Sequence, residues 1–219
     1  METIYHSKLF KIDSLPLTDI HVIDDWCPTS IWDAFLKDIK KKPRWEYNND
    51  VTYEDGETTE VTWAYRFYGK WFKQYGSQYK IVDPIIEKMC EDFGVAYQQF
   101  DYAGINGQTE GMQGTIHKDS FRPNNISFLW HCNKEWDSEW EGKFRVYKFD
   151  TLEKGVRGYS KELINKYQIA EIEYKPNRLI ILDGRYPHSA DAPLDCNFNL
   201  RQTLVVRGNV AEIVDKTRK

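Results

Sequence analysis

Paired cysteines are absent from this chain. Its four cysteines, Cys27, Cys90, Cys132 and Cys196, are scattered with no CxxC among them, so neither a zinc knuckle nor a disulfide framework is indicated. Reduced thiols and a cytoplasmic setting are expected. No apolar run reaches the roughly 20 residues that a membrane helix needs, so no membrane association is expected. The opening METIYHSKLFKIDS lacks the basic-then-apolar pattern of a signal peptide. No internal repeat, low-complexity tract or Pro/Ser-rich linker divides the 219 residues, and one domain over 1–219 is expected. Charge of either sign is also short of an excess: 30 Lys and Arg against 34 Asp and Glu leave a formal −4. Such a chain has no global field to draw a polynucleotide, so nucleic acid is disfavoured as a partner.

What the chain does have is aromatic mass. Fourteen Tyr, eleven Phe and eight Trp, within a 41% hydrophobic composition, suit β-rich architectures and pockets. The pattern changes near Gly94. Before it, IHVI predicts a short strand at 20–23, followed by a helix in which Thr29 or Ser30 supplies the cap and Ile31, Phe35 and Ile39 one apolar stripe. Lys40 to Lys42 suit the C-terminal end of that helix and Pro43 stops it. Residues 47–61 are acidic and turn-rich, with Asp55-Gly56 as a hairpin tip and a lid as one role for the segment. The aromatic run TWAYRFYGKWFKQYG predicts a strand and a covering loop. A second helix is expected over 82–93, with Pro84 tolerated near its start and Gly94 ending it.

After Gly94, short apolar or alternating runs follow at close intervals: VAYQQFDYA, GTIHKD, NISFLWHC, GKFRVYKF, IAEIEYK, RLIILD and RQTLVVRG. Turn residues separate most of them, and a short helix fits between Lys154 and Lys166. Many short strands with turn signals indicate a sandwich or barrel. The fold expected is mainly β with flanking helices: an α/β support over 1–94 and a double-stranded β-helix, or jelly-roll, core over 95–209.

The run GTIHKD holds His117 and Asp119 at strand spacing. Residues i and i+2 of a strand share a face, so imidazole and carboxylate project together while Lys118 points away. A pair cannot enclose a metal, and His188, just after RLIILDG, is available as a third ligand. Two histidines and one carboxylate on one face of an octahedron leave open positions, the arrangement of non-haem Fe(II) oxygenases. His6, His21 and His131 serve as a control, having no paired acid, and are expected to be structural or at the surface. Farther on, Arg201 and Thr203 alternate with Gln202 and would face one interior. An arginine there is costly without an anion; a protein Asp or Glu could provide one, and a ligand carboxylate provides one with bidentate geometry, the reading the upstream triad favours.

The order His-x-Asp, then W-x-x-x-W-E-G-K-F-R-V-Y, then PNRLIILDGRYPHSA, then R-x-T resembles the 2-oxoglutarate/Fe(II) oxygenase superfamily, its prolyl 4-hydroxylase-like branch above all. The resemblance covers roughly residues 100–208. It implies iron ligands at His117, Asp119 and His188, Arg201 on the distal carboxylate of 2-oxoglutarate with Thr203 assisting, and Tyr102 reaching the co-substrate. It further implies Fe(II), 2-oxoglutarate and O2 as requirements, with ascorbate as an accessory reductant, and hydroxylation of a C–H bond with release of succinate and CO2. Asp119 favours hydroxylation, since related halogenases lack this carboxylate. Two departures stand out: Arg201 where several prolyl hydroxylases use Lys, and Trp140-Glu141-Gly142-Lys143 where the branch usually has Gly-Gly-Glu.

The leading expectation is an oxidoreductase acting on a peptidyl or amino-acid residue in the manner of a prolyl 4-hydroxylase. A small-molecule hydroxylase of the same superfamily is the alternative. A non-enzymatic jelly-roll binding protein and a cupin-type metalloprotein are weighed against it; the first leaves Arg201 and Thr203 unexplained, and the second usually needs a His-x-His pair. Around the site, the glycine-rich stretch 104–112 reads as a mobile lip or an ordinary connection. Arg122 and Asn124 read as substrate contacts, and Trp130 and Trp140 as core.

Overall fold

The computed structural model describes residues 1–42, 44–49, 62–69, 73–74, 79–153, 161–196 and 199–213. Its strands are β1 (Thr3–His6), β2 (Ile20–Ile23), β3 (Glu46–Asn49), β4 (Thr62–Gly69), β5 (Lys73–Gln74), β6 (Val95–Gln108), β7 (Asn125–His131), β8 (Phe144–Tyr147), β9 (Gln168–Ile172), β10 (Leu179–Asp183), β11 (His188–Ala190) and β12 (Arg201–Ile213). The helices are α1 (Thr29–Lys41), α2 (Tyr79–Phe93) and α3 (Lys161–Tyr167). A large sheet runs in the order β1-β2-β10-β7-β12-β6-β4-β3 with β5 against β4, and a small sheet runs β11-β8-β9. Together they form a jelly-roll core.

Both faces of the large sheet are covered at its centre, where β10, LIILD, reads as an apolar run rather than an alternating one. Every residue of β7 and of β10 is buried. On one face, Phe128 and Trp130 of β7 and Leu204 and Val206 of β12 join Trp32 and Phe35 of α1 and Ile85 and Met89 of α2 in one core. On the other, Leu129 and Val205 meet Phe144 and Val146 of the small sheet. Burial at roughly 25 cal/mol per Å² of apolar area makes these two interfaces the main stabilising term.

Helix α1 begins at Thr29, but Pro28 occupies the cap position and no side chain caps it. The Pro28 carbonyl instead accepts from Ile31 N and Trp32 N, each at 3.0 Å. Its buried stripe is Trp32, Phe35 and Ile39, with Ile31 at the margin. Helix α2 starts one turn before the expected Val82, with Pro84 inside it, and Gly94 follows at φ 67. Strand β6 corrects a larger expectation. It continues to Gln108, so Gly104 and Gly107 lie within a ladder with β12 and β4 and not in a lip over the site. Only Thr109–Met112 remain as a turn there. The proposed stop at Pro43, the Asp55-Gly56 tip, most of the 47–61 lid and the 154–160 part of the short helix lie outside the described residues. Among the described residues no helix is long and apolar enough to cross a membrane.

Candidate metal centre and its cavity

The segment 114–119 is extended but forms no regular ladder, contrary to the strand read from GTIHKD. It lies along β11 as a rudimentary fourth strand of the small sheet. Gly114 N donates to Ala190 O at 3.0 Å, and His117 and His188 exchange backbone bonds, N to O, at 3.0 and 2.9 Å. Approach is so close at the start that a Cβ on Gly114 would stand 2.6 Å from Ala190 O, which only glycine avoids. At the other end Asp119 N and Ser120 N both donate to Gly184 O.

These backbone constraints bring His117, Asp119 and His188 together, with one ligand atom from each lying within 4.8 Å of the others. Nε2 of His117 is 3.7 Å from Asp119 Oδ1, and Nε2 of His188 is 3.6 Å from Oδ2. Each imidazole turns Nδ1 to the carbonyl two residues earlier, Thr115 O and Tyr186 O, both at 2.9 Å. That hydrogen bond places the proton on Nδ1 and leaves the Nε2 lone pair for a metal. Burial pushes the His188 pKa down to about 4, so at neutral pH it is an uncharged donor. Burial alone would raise Asp119, but the charge of Arg207 above all holds its carboxyl well below the usual range. Two imidazole Nε2 atoms and an ionised carboxylate fit a divalent ion. Ser127 Oγ donates to Asp119 Oδ2 at 2.6 Å, and Arg207 Nη1 donates to Oδ1. Lys118 points away as expected, paired with Glu153 and set over the Phe149 ring.

A cavity of about 130 Å³ opens from the three ligands and runs between the two sheets. Arg201, Thr203, Val205 and Arg207 line it from β12, and Tyr102, Asn106 and Gln108 from β6. Arg201 is 2% exposed. Its Nε donates to Gly142 O at 2.8 Å, and its Nη1 to Gln108 Oε1 at 2.9 Å and Thr203 Oγ1 at 3.1 Å. All three acceptors are neutral. Among the described residues Arg201 makes no ion pair, and burial lowers its pKa to about 10. Gly142, at φ +77, fits under this side chain: a Cβ there would meet Arg201 Cδ at 3.0 Å. Tyr102 lines the cavity with its hydroxyl donating to Asn106 Oδ1 at 2.9 Å.

All six site residues named from the sequence therefore face one cavity. Arg122 and Asn124 do not line it; Asn124 Nδ2 donates to Val210 O at 2.9 Å instead. Trp130 is core and Trp140 packs edge-on against Trp136. Gln108, His131 and Arg207 are among the lining residues that escaped sequence reading. For Arg207 a signal was present, since the alternation that pairs Arg201 with Thr203 extends to 205 and 207. His131 was set aside as structural for want of a neighbouring acid.

Fold and site together define a jelly-roll protein with a two-histidine, one-carboxylate centre beside a buried arginine. No family model and no curated protein matches the chain. Solved structures do. A prolyl hydroxylase from Trichoplax adhaerens, in complex with a hypoxia inducible factor peptide fragment, aligns at TM-score 0.55 and 13% identity over 87% of this chain and 83% of its own. A prolyl-4-hydroxylase from Pseudomonas putida aligns at TM-score 0.51 and 14% identity, covering 87% and 91%. The non-heme alpha ketoglutarate dependent epimerase SnoN from nogalamycin biosynthesis aligns at 0.54 and 9%, covering 86% and 76%. The chain has the fold of 2-oxoglutarate/Fe(II) oxygenases.

Proposed function

We propose that this protein is an Fe(II)- and 2-oxoglutarate-dependent dioxygenase that hydroxylates a C–H bond, acting on a peptidyl or amino-acid residue as prolyl 4-hydroxylases do. One observation carries the reading: a metal-binding triad shares its cavity with a buried arginine that has no carboxylate partner among the described residues. A buried cation of that kind is costly unless a ligand supplies the anion. A non-enzymatic binding module gives no account of it.

His117 and His188 would hold iron through Nε2 and Asp119 through its carboxylate. When bound, the iron supplies the site at which O2 and 2-oxoglutarate react, giving succinate, CO2 and a hydroxylated product. The chain's own residues do the positioning. Arg201 fixes the distal carboxylate, with Thr203 Oγ1 beside it. Gly142 O and Gln108 Oε1 hold the guanidinium fork in place, and Gln108 is itself anchored through Nε2 to Ala190 O at 3.1 Å. Val205, Leu129 and Phe144 keep the cavity walls apolar and limit water near the reacting atoms. Ser127 and Arg207 orient Asp119. A small-molecule substrate is the second reading, supported by similarity to SnoN on the same scale as to the prolyl hydroxylases. We place the activity in the reducing cytoplasm.

The test is succinate formation from 2-oxoglutarate by purified protein, with Fe(II) and air, before any substrate is added. Slow turnover dependent on both is expected. Full iron loading with no succinate above a His188→Ala control would remove the enzyme reading.

A further inference from the structure

Asp119 supplies the carboxylate of the triad, yet no strand ladder holds it. Its backbone N–H donates to Gly184 O at 2.9 Å, and that of Ser120 donates to the same oxygen at 3.0 Å. The place of Asp119 therefore follows the place of one carbonyl. Gly184 comes directly after β10 and opens the turn that leads to His188, so two of the three ligands depend on where it sits.

What fixes Gly184 is Asn125, the first residue of β7. Asn125 O accepts from Gly184 N at 3.1 Å, and the Asn125 carboxamide closes off the α-carbon. A Cβ on Gly184 would stand 2.3 Å from Asn125 Oδ1 and 3.4 Å from Asp119 Cβ, so no side chain fits between them. Asn125 is 1% exposed. Its Nδ2 donates to Asp101 Oδ2 of β6 at 2.9 Å and to Asn209 Oδ1 of β12 at 3.1 Å. A carboxylate only accepts, so the amide nitrogen must face Asp101 and the amide oxygen must face Gly184. That oxygen is buried and has no hydrogen-bond partner among the described residues. The fold thus bears a cost that an apolar side chain of similar size would not impose. Two residues along the same face of β7, Ser127 Oγ donates to Asp119 Oδ2 at 2.6 Å. Strand β7 holds Asp119 twice, by its carboxylate through Ser127 and by its backbone through Gly184.

We propose that Asn125 is a positioning residue for the metal centre: locked by Asp101 and Asn209, its carboxamide wedges Gly184 in place and so fixes the backbone of Asp119. This rests on the metal-binding reading of the triad above. It makes the donor geometry answer to β6 and β12, which supply the two locks.

The experiment titrates metal-free full-length protein with Co(II) against a chelating dye, recording the visible spectrum of bound Co(II) and the melting curve on the same samples. Asn125→Ala is expected to weaken Co(II) binding about tenfold and to change the Co(II) spectrum. Gly184→Ala, which drives a methyl group against Asn125 Oδ1, should weaken it likewise. In the double variant the new methyl fills the emptied space, and most of the loss is recovered; two unrelated structural defects would add instead. Should Asn125→Ala fail to fold, Asn209→Ser decides, since it removes one lock and leaves Asn125, Gly184 and the triad in place; a loss of about threefold is expected. No Co(II) binding by the wild type, or binding that survives His117→Ala with Asp119→Ala, overturns the metal reading itself. Wild-type binding at the triad with unchanged affinity in Asn125→Ala or Asn209→Ser, or with additive losses in the double variant, overturns the Asn125 assignment only.

Discussion

Arg201→Met separates a residue kept for a ligand from one kept for the fold. In the wild type, the drop in pKa from the ordinary arginine value to about 10 corresponds to roughly 3 kcal/mol spent on burying the cation. Against this stand three hydrogen bonds to neutral acceptors, worth roughly 1 kcal/mol apiece. The two sums nearly cancel, so an uncharged side chain of similar length should leave the ligand-free protein about as stable as before. For a chain of this size, 1 kcal/mol moves Tm by about 2–4 °C, and a change within about 4 °C is expected. Binding should behave otherwise. Losing a charge-assisted, buried contact costs about 2–5 kcal/mol, which is roughly thirty-fold to several-thousand-fold in the dissociation constant of 2-oxoglutarate. Arg201→Lys keeps the charge but not the fork and should recover part of it. Scanning calorimetry gives the first quantity and anaerobic titration of the Mn(II) form gives the second. A Tm lowered by 10 °C or more, with co-substrate affinity intact in the folded fraction, would refute the reasoning and make Arg201 structural.

Two further outcomes are expected. Ser127→Ala removes the hydroxyl that donates to Asp119 Oδ2 at 2.6 Å; metal affinity measured by competition with a chelating dye should fall about tenfold to a hundredfold, with the melting curve little changed. His188 is depressed from an ordinary 6.5 to about 4 by burial, so between those pH values the unfolded chain carries a proton that the native state rejects. The metal-free protein should therefore lose about 1.4 kcal/mol per pH unit from this group as pH falls from 6.5 toward 4, and nothing from it above 6.5. Urea denaturation at several pH values should show His188→Gln with a correspondingly shallower slope.

The triad and Arg201 were legible because their spacing follows strand geometry and because each is expensive to bury without a function. Tyr102 and Thr203 came with the family resemblance and the alternation in RQTLVVRG. Strand β2 fell where IHVI put it, since a short β-branched run bounded by Asp residues has few alternatives. What was not legible depends on tertiary contact. The ladder through Gly104 and Gly107 looks like a loop in sequence, because glycine is rare in strands; here neighbouring side chains crowd the space a Cβ would take. GTIHKD reads as a strand, yet its backbone bonds go to β11 and to Gly184 in a pattern too sparse for a ladder.

The reciprocal backbone bonds between His117 and His188 join residues far apart in sequence, one N-terminal to β7 and the other following β10. The two imidazoles are thus clamped to each other by the polypeptide, independent of any ion. A divalent metal arriving at such a centre organises nothing and meets a finished set of donors. Discrimination among metals then falls to donor chemistry, and copper and zinc outrank iron on neutral imidazoles. The iron form, under the proposed assignment, is a product of which metal the cell supplies while the chain is new. Protein purified from zinc-rich medium should be correctly folded and inert, and recover turnover after chelation and anaerobic reloading with Fe(II).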